Sequence, residues 1–452
     1  MDSASGVGVS SSIYLSEYGE LVSQLNAKEL IFHLNPTSSG FKDVQIVKIK
    51  ENPSKFLKFS RAYHDPSTDA HIHESQDLSR RRVLYASDTR ILVWQLDPMQ
   101  LHAEIDSIEA GATNIDFGGD ENEVIVFHAW NTKVSVHGLD TGRSQVIKSP
   151  KFSHYNGFGY RPKTRQFAIL LKPDATDLLT IHDFRSYELI GRASLPTVDA
   201  QGGDSSFDLG VKSIEWSPVA NRSGASEFLA IGKVDGTVDL LTSKTFSCST
   251  TLSHIFQPGN HSPSIWRERY ATADGTLEYG ESSGSSAFSV LAETSGPPRG
   301  VSILTYSSAG DLLCTVDQTR PNILWIWALE SSTVLVSALV HEHAVRQAVW
   351  HPSKPELLIT TTNSATASVR HWSLDRQPSI IRIPASRSDA GRYDVRWLSS
   401  SQKGVSIFWF GSADDYMLGY IEEENGISQF KVLNTVSSNL KGHSGSYGAV
   451  TS

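Results

Sequence analysis

Ala348-Val349-Trp350-His351-Pro352, then Leu357-Leu358-Ile359-Thr360-Thr361, then Ser368-Val369-Arg370-His371-Trp372-Ser373-Leu374 is the stretch that decides the fold of this chain. Each phrase is a short run of aliphatic, β-branched and aromatic residues, the side chains that suit a pleated, half-buried strand. Pro, Ser and Asn punctuate the breaks between them, as turns require. The runs read as strands of one antiparallel sheet, the last of them closing on His-Trp-Ser-Leu.

Degraded copies recur along most of the chain. Closing phrases stand at Val93-Trp94-Gln95-Leu96, Val136-His137-Gly138-Leu139, Ile181-His182-Asp183-Phe184, Leu240-Leu241-Thr242-Ser243 and Ile326-Trp327-Ala328-Leu329. Opening phrases stand at Leu57-Lys58-Phe59-Ser60, Ile115-Asp116-Phe117-Gly118, Phe158-Gly159-Tyr160-Arg161-Pro162, Ile214-Glu215-Trp216-Ser217-Pro218, Leu304-Thr305-Tyr306-Ser307 and Val395-Arg396-Trp397-Leu398. Between them lie runs such as Phe228-Leu229-Ala230-Ile231-Gly232, read as third strands and followed by the tight-hairpin signal Asp235-Gly236. The step from one closing aromatic position to the next is 43 residues from Trp94 to His137, 45 from His137 to His182, and 45 from Trp327 to Trp372. A period of that length ending in such a phrase marks the four-stranded blades of a WD-repeat β-propeller. With an irregular first unit over 13–49 and a last over 393–422, the expected fold is all-β: a WD-repeat β-propeller of seven to eight four-stranded blades.

Two steps are long. His182 to Leu241 is 59 residues, and Leu241 to Trp327 is 86. The second is swollen by 249–300, a Ser/Gly/Pro-rich insertion with little periodicity, expected to leave the blades and to be partly disordered because its apolar surface is too small to offset the ordering entropy. The expected organisation is therefore a disordered N-terminus over 1–12, a WD-repeat propeller over 13–425 and a C-terminal tail over 426–452.

Composition agrees with a large core: 39% hydrophobic, 20% charged, and ten Trp. Two cysteines, Cys248 and Cys314, make neither a disulfide framework nor a metal motif, which points to an intracellular chain. No run is long and apolar enough for a membrane span, and residues 1–12 lack the basic start and apolar centre of a signal peptide. A formal net charge of −9 argues against a nucleic-acid-binding body.

The search for chemistry returns structural readings. No Gly-x-Ser-x-Gly elbow, phosphate loop or dinucleotide fingerprint is present, and Gly202-Gly203 and the glycines at 280 and 284 lack the strand-and-helix context of a phosphate site. His64, His71 and His73 with Asp65, Asp69 and Glu74 carry metal-ligand chemistry at loose spacing inside a polar insertion. His341-Glu342-His343 stands where such blades place a histidine before the opening strand, so its imidazoles are expected to bond within the blade. Arg80-Arg81-Arg82, flanked by Glu74 and Asp77, reads as a solvated loop. No catalytic, cofactor-binding or metal residue is assigned. One motif bears on partners: Ile181-His182-Asp183-Phe184-Arg185 is similar to the Trp-Asp-x-Arg box by which some WD proteins dock on the adaptor of cullin-type ubiquitin ligases, making Asp183 and Arg185 a candidate adaptor-binding rim.

At whole-chain scale, over about 45–422, the order of blades resembles the eukaryotic spindle-pole and centrosomal family commonly called WD-repeat protein eight, its filamentous-fungal members most. The phrases that carry the resemblance are Val146-Ile147-Lys148-Ser149-Pro150-Lys151 leading into Gly157-Phe158, and Phe167-Ala168-Ile169-Leu170-Leu171-Lys172 with Asp177. More distinctive are Leu209-Gly210-Val211-Lys212-Ser213-Ile214-Glu215-Trp216-Ser217-Pro218 with Phe228 to Gly236, and Asp317-Gln318-Thr319-Arg320-Pro321-Asn322-Ile323-Leu324-Trp325-Ile326-Trp327. Two departures stand out. The family has a further blade between Leu189 and Leu209, for which this chain has no room, and the first blade begins at Ile13-Tyr14-Leu15 without the usual Phe-Ser-Pro-type opening.

The resemblance implies a non-enzymatic scaffold of the cytoplasm and cytoskeleton. It would sit at the spindle pole body or another microtubule-organising centre, with a coiled-coil anchoring protein as partner and a minus-end-directed kinesin as an indirect one, to anchor microtubule minus ends. It implies no cofactor, nucleic acid or membrane. The alternative, from Asp183 and Arg185, is a substrate receptor of a cullin-type ubiquitin ligase.

Overall fold

The computed structural model describes residues 12–437 except 16–20, 27–28, 38–39, 49–55, 61–80, 88, 107–110, 120, 153–154, 162–163, 165, 174–176, 185, 187, 195–209, 219–226, 256–262, 272–274, 289–299, 330–332, 364, 385–391, 399–405, 412–414 and 425–426. The described residues form eight sheets, seven of four strands and one of six. Blades 1 to 8 span 12–48, 56–106, 112–148, 158–194, 211–252, 301–340, 345–382 and 394–437. Each is an antiparallel meander whose strands follow one another in chain order. This is the strand plan of a WD-repeat β-propeller.

Every opening phrase falls on the first strand of its blade and every closing phrase on the third, as in Val345–Trp350 and Ser368–Ser373 of blade 7. The run Phe228–Lys233, read from sequence as a third strand, is the second. A fourth strand follows each closing phrase, for example Ser144–Lys148, Cys248–Leu252 and Arg376–Arg382. Where this strand faces solvent, as in Ser144–Lys148 and Cys248–Leu252, it carries no strong apolar pattern of its own.

The chain divides into two compact units, one holding blades 1, 2 and 8, the other blades 3 to 7. Within the second unit the core lies between consecutive blades. Phe127, Val134 and Ile147 of blade 3 pack with Phe158 and Phe167 of blade 4. Leu170 and Ile181 of blade 4 pack with Ile214, Trp216 and Leu229 of blade 5. Leu312, Cys314 and Leu339 of blade 6 pack with Trp350, Leu357 and Trp372 of blade 7. Trp216, Trp327, Trp350, Trp372 and Trp397 are all buried, as their places in the phrases require. The opening-strand Trp also ties its blade to the preceding one: Trp216 Nε1 donates to the Gly159 carbonyl at 3.1 Å and Trp350 Nε1 to the Thr305 carbonyl at 3.0 Å.

Two expectations need correction, and the junction that lacks the family's further blade is paired on both sides. Blades 4 and 5, on either side of the expected missing blade, are complete four-stranded sheets that share one core and are joined by the Arg161–Glu227 ion pair at 2.6 Å. The short step thus leaves no unpaired strand beside it, and residues 195–209 lie outside the described residues. The insertion at 249–300 holds more order than its composition suggests, and 248–252 belongs to blade 5. Ser264–Tyr270 and Leu277–Ser282 form a hairpin whose first strand runs parallel to Thr333–Val340, the outer strand of blade 6, making the six-stranded sheet. The insertion also sends Ile265, Ala287 and Phe288 into the core of blades 5 and 6, where Phe288 stacks on Trp325 at 5.1 Å and 3°. These few apolar residues, with the backbone pairing, supply what an average over a Ser- and Gly-rich stretch conceals. Finally, the tail does not begin at 426. Ile427–Ser437 pairs along the whole of Asp415–Glu424 and completes blade 8.

Candidate functional site

The inserted hairpin is fixed to the blades by a buried polar cluster. Glu268 lies in the middle of Ser264–Tyr270, where its side chain points away from solvent. Its Oε1 accepts Arg370 Nε at 2.7 Å and lies 3.3 Å from His341 Nδ1, and its Oε2 accepts the Glu342 backbone N–H at 2.8 Å. The Tyr279 hydroxyl, from the second strand of the hairpin, lies 3.1 Å from the same His341 nitrogen. Burial alone would raise the Glu268 pKa, but the hydrogen bond with His341 and the charges of His341 and Arg370 hold it at about 2. Burial also lowers the His341 pKa and raises that of Tyr279. The cluster is thus a carboxylate, a guanidinium and two ring side chains that bond to one another across three segments, with His341 Nε2 and Arg370 Nη2 buried beside them without a hydrogen-bond partner among the described residues. It corrects the reading of His341: the imidazole before the opening strand of blade 7 bonds through Nδ1 to Glu268 and Tyr279 of the insertion rather than within its own blade. Outside the cluster, Arg267, Arg269, Tyr270, Glu281 and Glu342 line a cleft of about 370 Å³.

A second buried cluster was not read from the sequence. Trp327 Nε1 donates to Thr315 Oγ1 at 3.0 Å, and His254 Nε2 lies 2.8 Å from the same oxygen. His254 Nδ1 bonds to the Gly236 carbonyl, so Nδ1 carries the proton and Nε2 accepts from the threonine hydroxyl. Burial lowers the His254 pKa, in keeping with a neutral ring. The relay joins blade 5, through its Asp235-Gly236 turn, to blade 6. The signal for it was a Trp closing phrase preceded in the blade by Thr315 on the second strand, with a histidine, His254, upstream at the start of the insertion.

Asp183 ends the third strand of blade 4, and its Oδ1 accepts the Ser186 backbone N–H at 2.9 Å and faces the Ser186 hydroxyl at 3.3 Å. The carboxylate caps its own turn; Arg185 lies outside the described residues. His182, at the closing aromatic position, stacks on Phe167 at 5.2 Å and 13°, and burial lowers its pKa to about 4. The arginine run is not a solvated loop where it is described: Arg81 and Arg82 are buried, and Arg81 Nη1 donates to the Ser60 carbonyl at 3.0 Å. Position 82 is the first residue of a blade 2 strand, and its backbone N–H donates to Ser60 Oγ at 3.0 Å, while its Nη1 donates to the Arg81 carbonyl at 3.3 Å. His64, His71 and His73, with their acidic neighbours, lie outside the described residues. Among the described residues no group of three or more His, Cys, Asp or Glu is placed to hold a metal ion, and no helix is long and apolar enough to cross a membrane.

The fold and these clusters define a WD-repeat protein built of β-propeller blades. No protein-family profile matches the chain. It is similar to mouse WD repeat-containing protein WRAP73, 24% identical over 331 residues, which is 61% of this chain and 70% of that protein. An uncharacterized WD repeat-containing protein of Schizosaccharomyces pombe is 20% identical over 405 residues, 78% of this chain and 81% of that one. A shorter segment of 69 residues is 35% identical to rat echinoderm microtubule-associated protein-like 2 and covers 15% of this chain and 10% of that protein. Among solved structures, the β-propeller domain of Myceliophteria thermophila Cps50 (Swd1) superposes with a TM-score of 0.44 at 12% identity, covering 73% of this chain and 89% of that one. A chain of the mitotic checkpoint complex gives a TM-score of 0.43 at 13% identity, covering 82% and 92%.

Proposed function

We propose that this WD-repeat chain is a non-enzymatic scaffold at the spindle pole body or centrosome. With a coiled-coil partner it anchors microtubule minus ends, supports the mitotic spindle and helps load a minus-end-directed kinesin. The observation that carries the reading is the resemblance in blades 5 and 6 of the phrases at 209–236 and 317–327. The WRAP73 likeness over most of the chain and the short segment shared with a protein named as microtubule-associated support it. The buried clusters fit it too, since Glu268, His341 and Arg370 are occupied in holding segments together. Blades offer rigid surfaces and strand edges to several proteins at once. The Asp183 cap favours this reading over the ligase receptor, because the carboxylate is already engaged by Ser186. Affinity purification of the tagged chain from mitotic cells tests the proposal. A coiled-coil spindle-pole protein and a kinesin are expected; recovery of a cullin adaptor in their place would overturn it.

A further inference from the structure

The turn joining Glu123–His128 to Lys133–Gly138 in blade 3 carries Trp130 with 93% of its surface exposed, more than any other large hydrophobic side chain among the described residues. Its backbone is left-handed, at φ 59° and ψ 22°, and Asn131 follows at φ 52°. With Thr132 N donating to the Ala129 carbonyl, the turn resembles type I′, a conformation natural to glycine and asparagine and unfavourable for a bulky residue. Neighbouring segments impose it: Ala129 N donates to the Gly111 carbonyl at 2.8 Å, Asn131 Nδ2 to the Lys151 carbonyl at 2.8 Å, and Ser149 N to the Thr132 carbonyl at 3.2 Å. A large aromatic ring is thus held in a strained turn and gains almost no burial from folding. Such an outlier points to a role outside the fold.

The surroundings indicate the chemistry. Lys172 N donates to the Ser149 carbonyl, so the connections that carry Trp130, Lys148 and Lys172 meet at one end of blades 3 and 4. Lys148 and Lys172 are exposed, and Lys148 stands in register with Lys133 on the adjacent strand. Val146, 52% exposed, lies two residues from Lys148 and hence on the same face of its strand. Lys151 is paired with Asp177 and turned inward. On a chain of net charge −9, this is a local basic surface with an aromatic residue standing out of it.

We propose that Trp130, with Val146, Lys133, Lys148 and Lys172, is a docking surface for an acidic protein segment that presents apolar side chains to the indole. The ring would supply the desolvated anchor and the lysines the complementary charge. This assigns one partner's chemistry and surface, and it holds or fails independently of the spindle-pole reading. The test is anisotropy of a fluorescein-labelled Glu-Glu-Leu-Leu repeat peptide titrated with the full chain, beside flotation on phosphatidylcholine vesicles with and without phosphatidylserine. Binding of the peptide is expected to weaken roughly tenfold or more in Trp130→Gly and in Lys148→Glu/Lys172→Glu. Trp130→Gly should melt at the wild-type temperature or above, because glycine relieves the left-handed turn. Absence of peptide binding by the wild type, unchanged binding in Trp130→Gly, or a lower melting temperature in that variant would overturn the proposal. So would Trp130-dependent binding to the phosphatidylserine vesicles alone, which would make the surface a membrane contact.

Discussion

Blade 6 and blade 3 use tryptophan in opposite ways. Trp325 is wholly buried in blade 6, stacked on Phe288 and 6.1 Å from Trp327, whose indole N–H is bonded to Thr315. Trp130 in blade 3 is exposed, and its left-handed backbone costs about 1–3 kcal/mol that only the clamps around the turn can offset. One residue type therefore lowers the energy of the fold at one place and raises it at another. The neighbours decide which. Trp325 and Trp327 sit in an aliphatic strand, whereas Trp130 lies between Ala129 and Asn131 at a hairpin tip.

The sharpest way to break the comparison is to remove rings on both sides of it. Trp327→Ala should lower stability by about 3–5 kcal/mol, from lost burial and the cavity left behind, and it also strips the Thr315 hydroxyl of its donor. Trp216→Ala should cost a similar amount and loosen blade 5 from Gly159. Urea unfolding measures both. An exposed ring gives nothing to lose, so if Trp130 proved as costly to remove as Trp327, the contrast would vanish.

Of the same order is the polar tie of the inserted hairpin. Glu268→Ala leaves Arg370 buried without its carboxylate, and breaking one half of such a pair costs about 3–5 kcal/mol. Replacing both, as Glu268→Leu with Arg370→Met, should cost less than the single change, because no charge is then stranded. Chemical denaturation of the three variants checks this. A double variant weaker than the single one would show that the pair does more than satisfy itself.

Acid should weaken the blades in two stages. His182 has a folded pKa of about 4 against an ordinary value of 6.5, so the unfolded chain binds more protons between these values and stability falls as pH drops from 6.5 towards 4. Burial likewise lowers the His351 pKa to about 4 and adds to this stage. Glu268 has a folded pKa of about 2 against 4.5, so its contribution is complete above pH 4.5 and is lost as pH falls towards 2. Melting temperature as a function of pH reads both stages. His182→Phe should keep the stack on Phe167 and shrink the first stage while leaving the His351 share of it and the second stage in place, whereas an unchanged profile would mean that the imidazole is protonated in the fold.

The blades were legible because burial imposes a pattern. Opening and closing strands face other blades, so Trp350, Leu357 and Trp372 had to recur at blade spacing. Fourth strands such as Ser144–Lys148 face solvent and left no such trace. The insertion was misjudged for a related reason: its order rests on backbone pairing with Thr333–Val340, on Glu268 and on a few apolar contacts, none of which changes average composition much. Of the candidate site, His341 was legible through its place before an opening strand, but its partner Glu268, 73 residues upstream, was not. Trp130 was invisible for the opposite reason, since a single aromatic at a turn resembles any other until its dihedral angles are known.

The smallest expected effect is at the rim of blade 4, where Asp183 contrasts with the buried Glu268. Both are carboxylates that bond to backbone N–H groups, but Asp183 does so beside solvent within its own turn. Losing an ordinary hydrogen bond of that kind costs about 0.5–1.5 kcal/mol, so Asp183→Ala/Arg185→Ala should melt only slightly below the wild type. Under the scaffold proposal the double variant keeps its spindle-pole localisation, because the carboxylate serves the turn. Under the ligase alternative the same variant loses its cullin adaptor and its substrates accumulate, with the fold intact. A thermal melt first establishes that the fold has survived, after which imaging in mitosis and adaptor pull-down separate the two outcomes. Adaptor loss in the folded variant, together with normal spindles in a strain lacking the chain, would move Asp183 from the turn to an interface and replace the scaffold with the receptor.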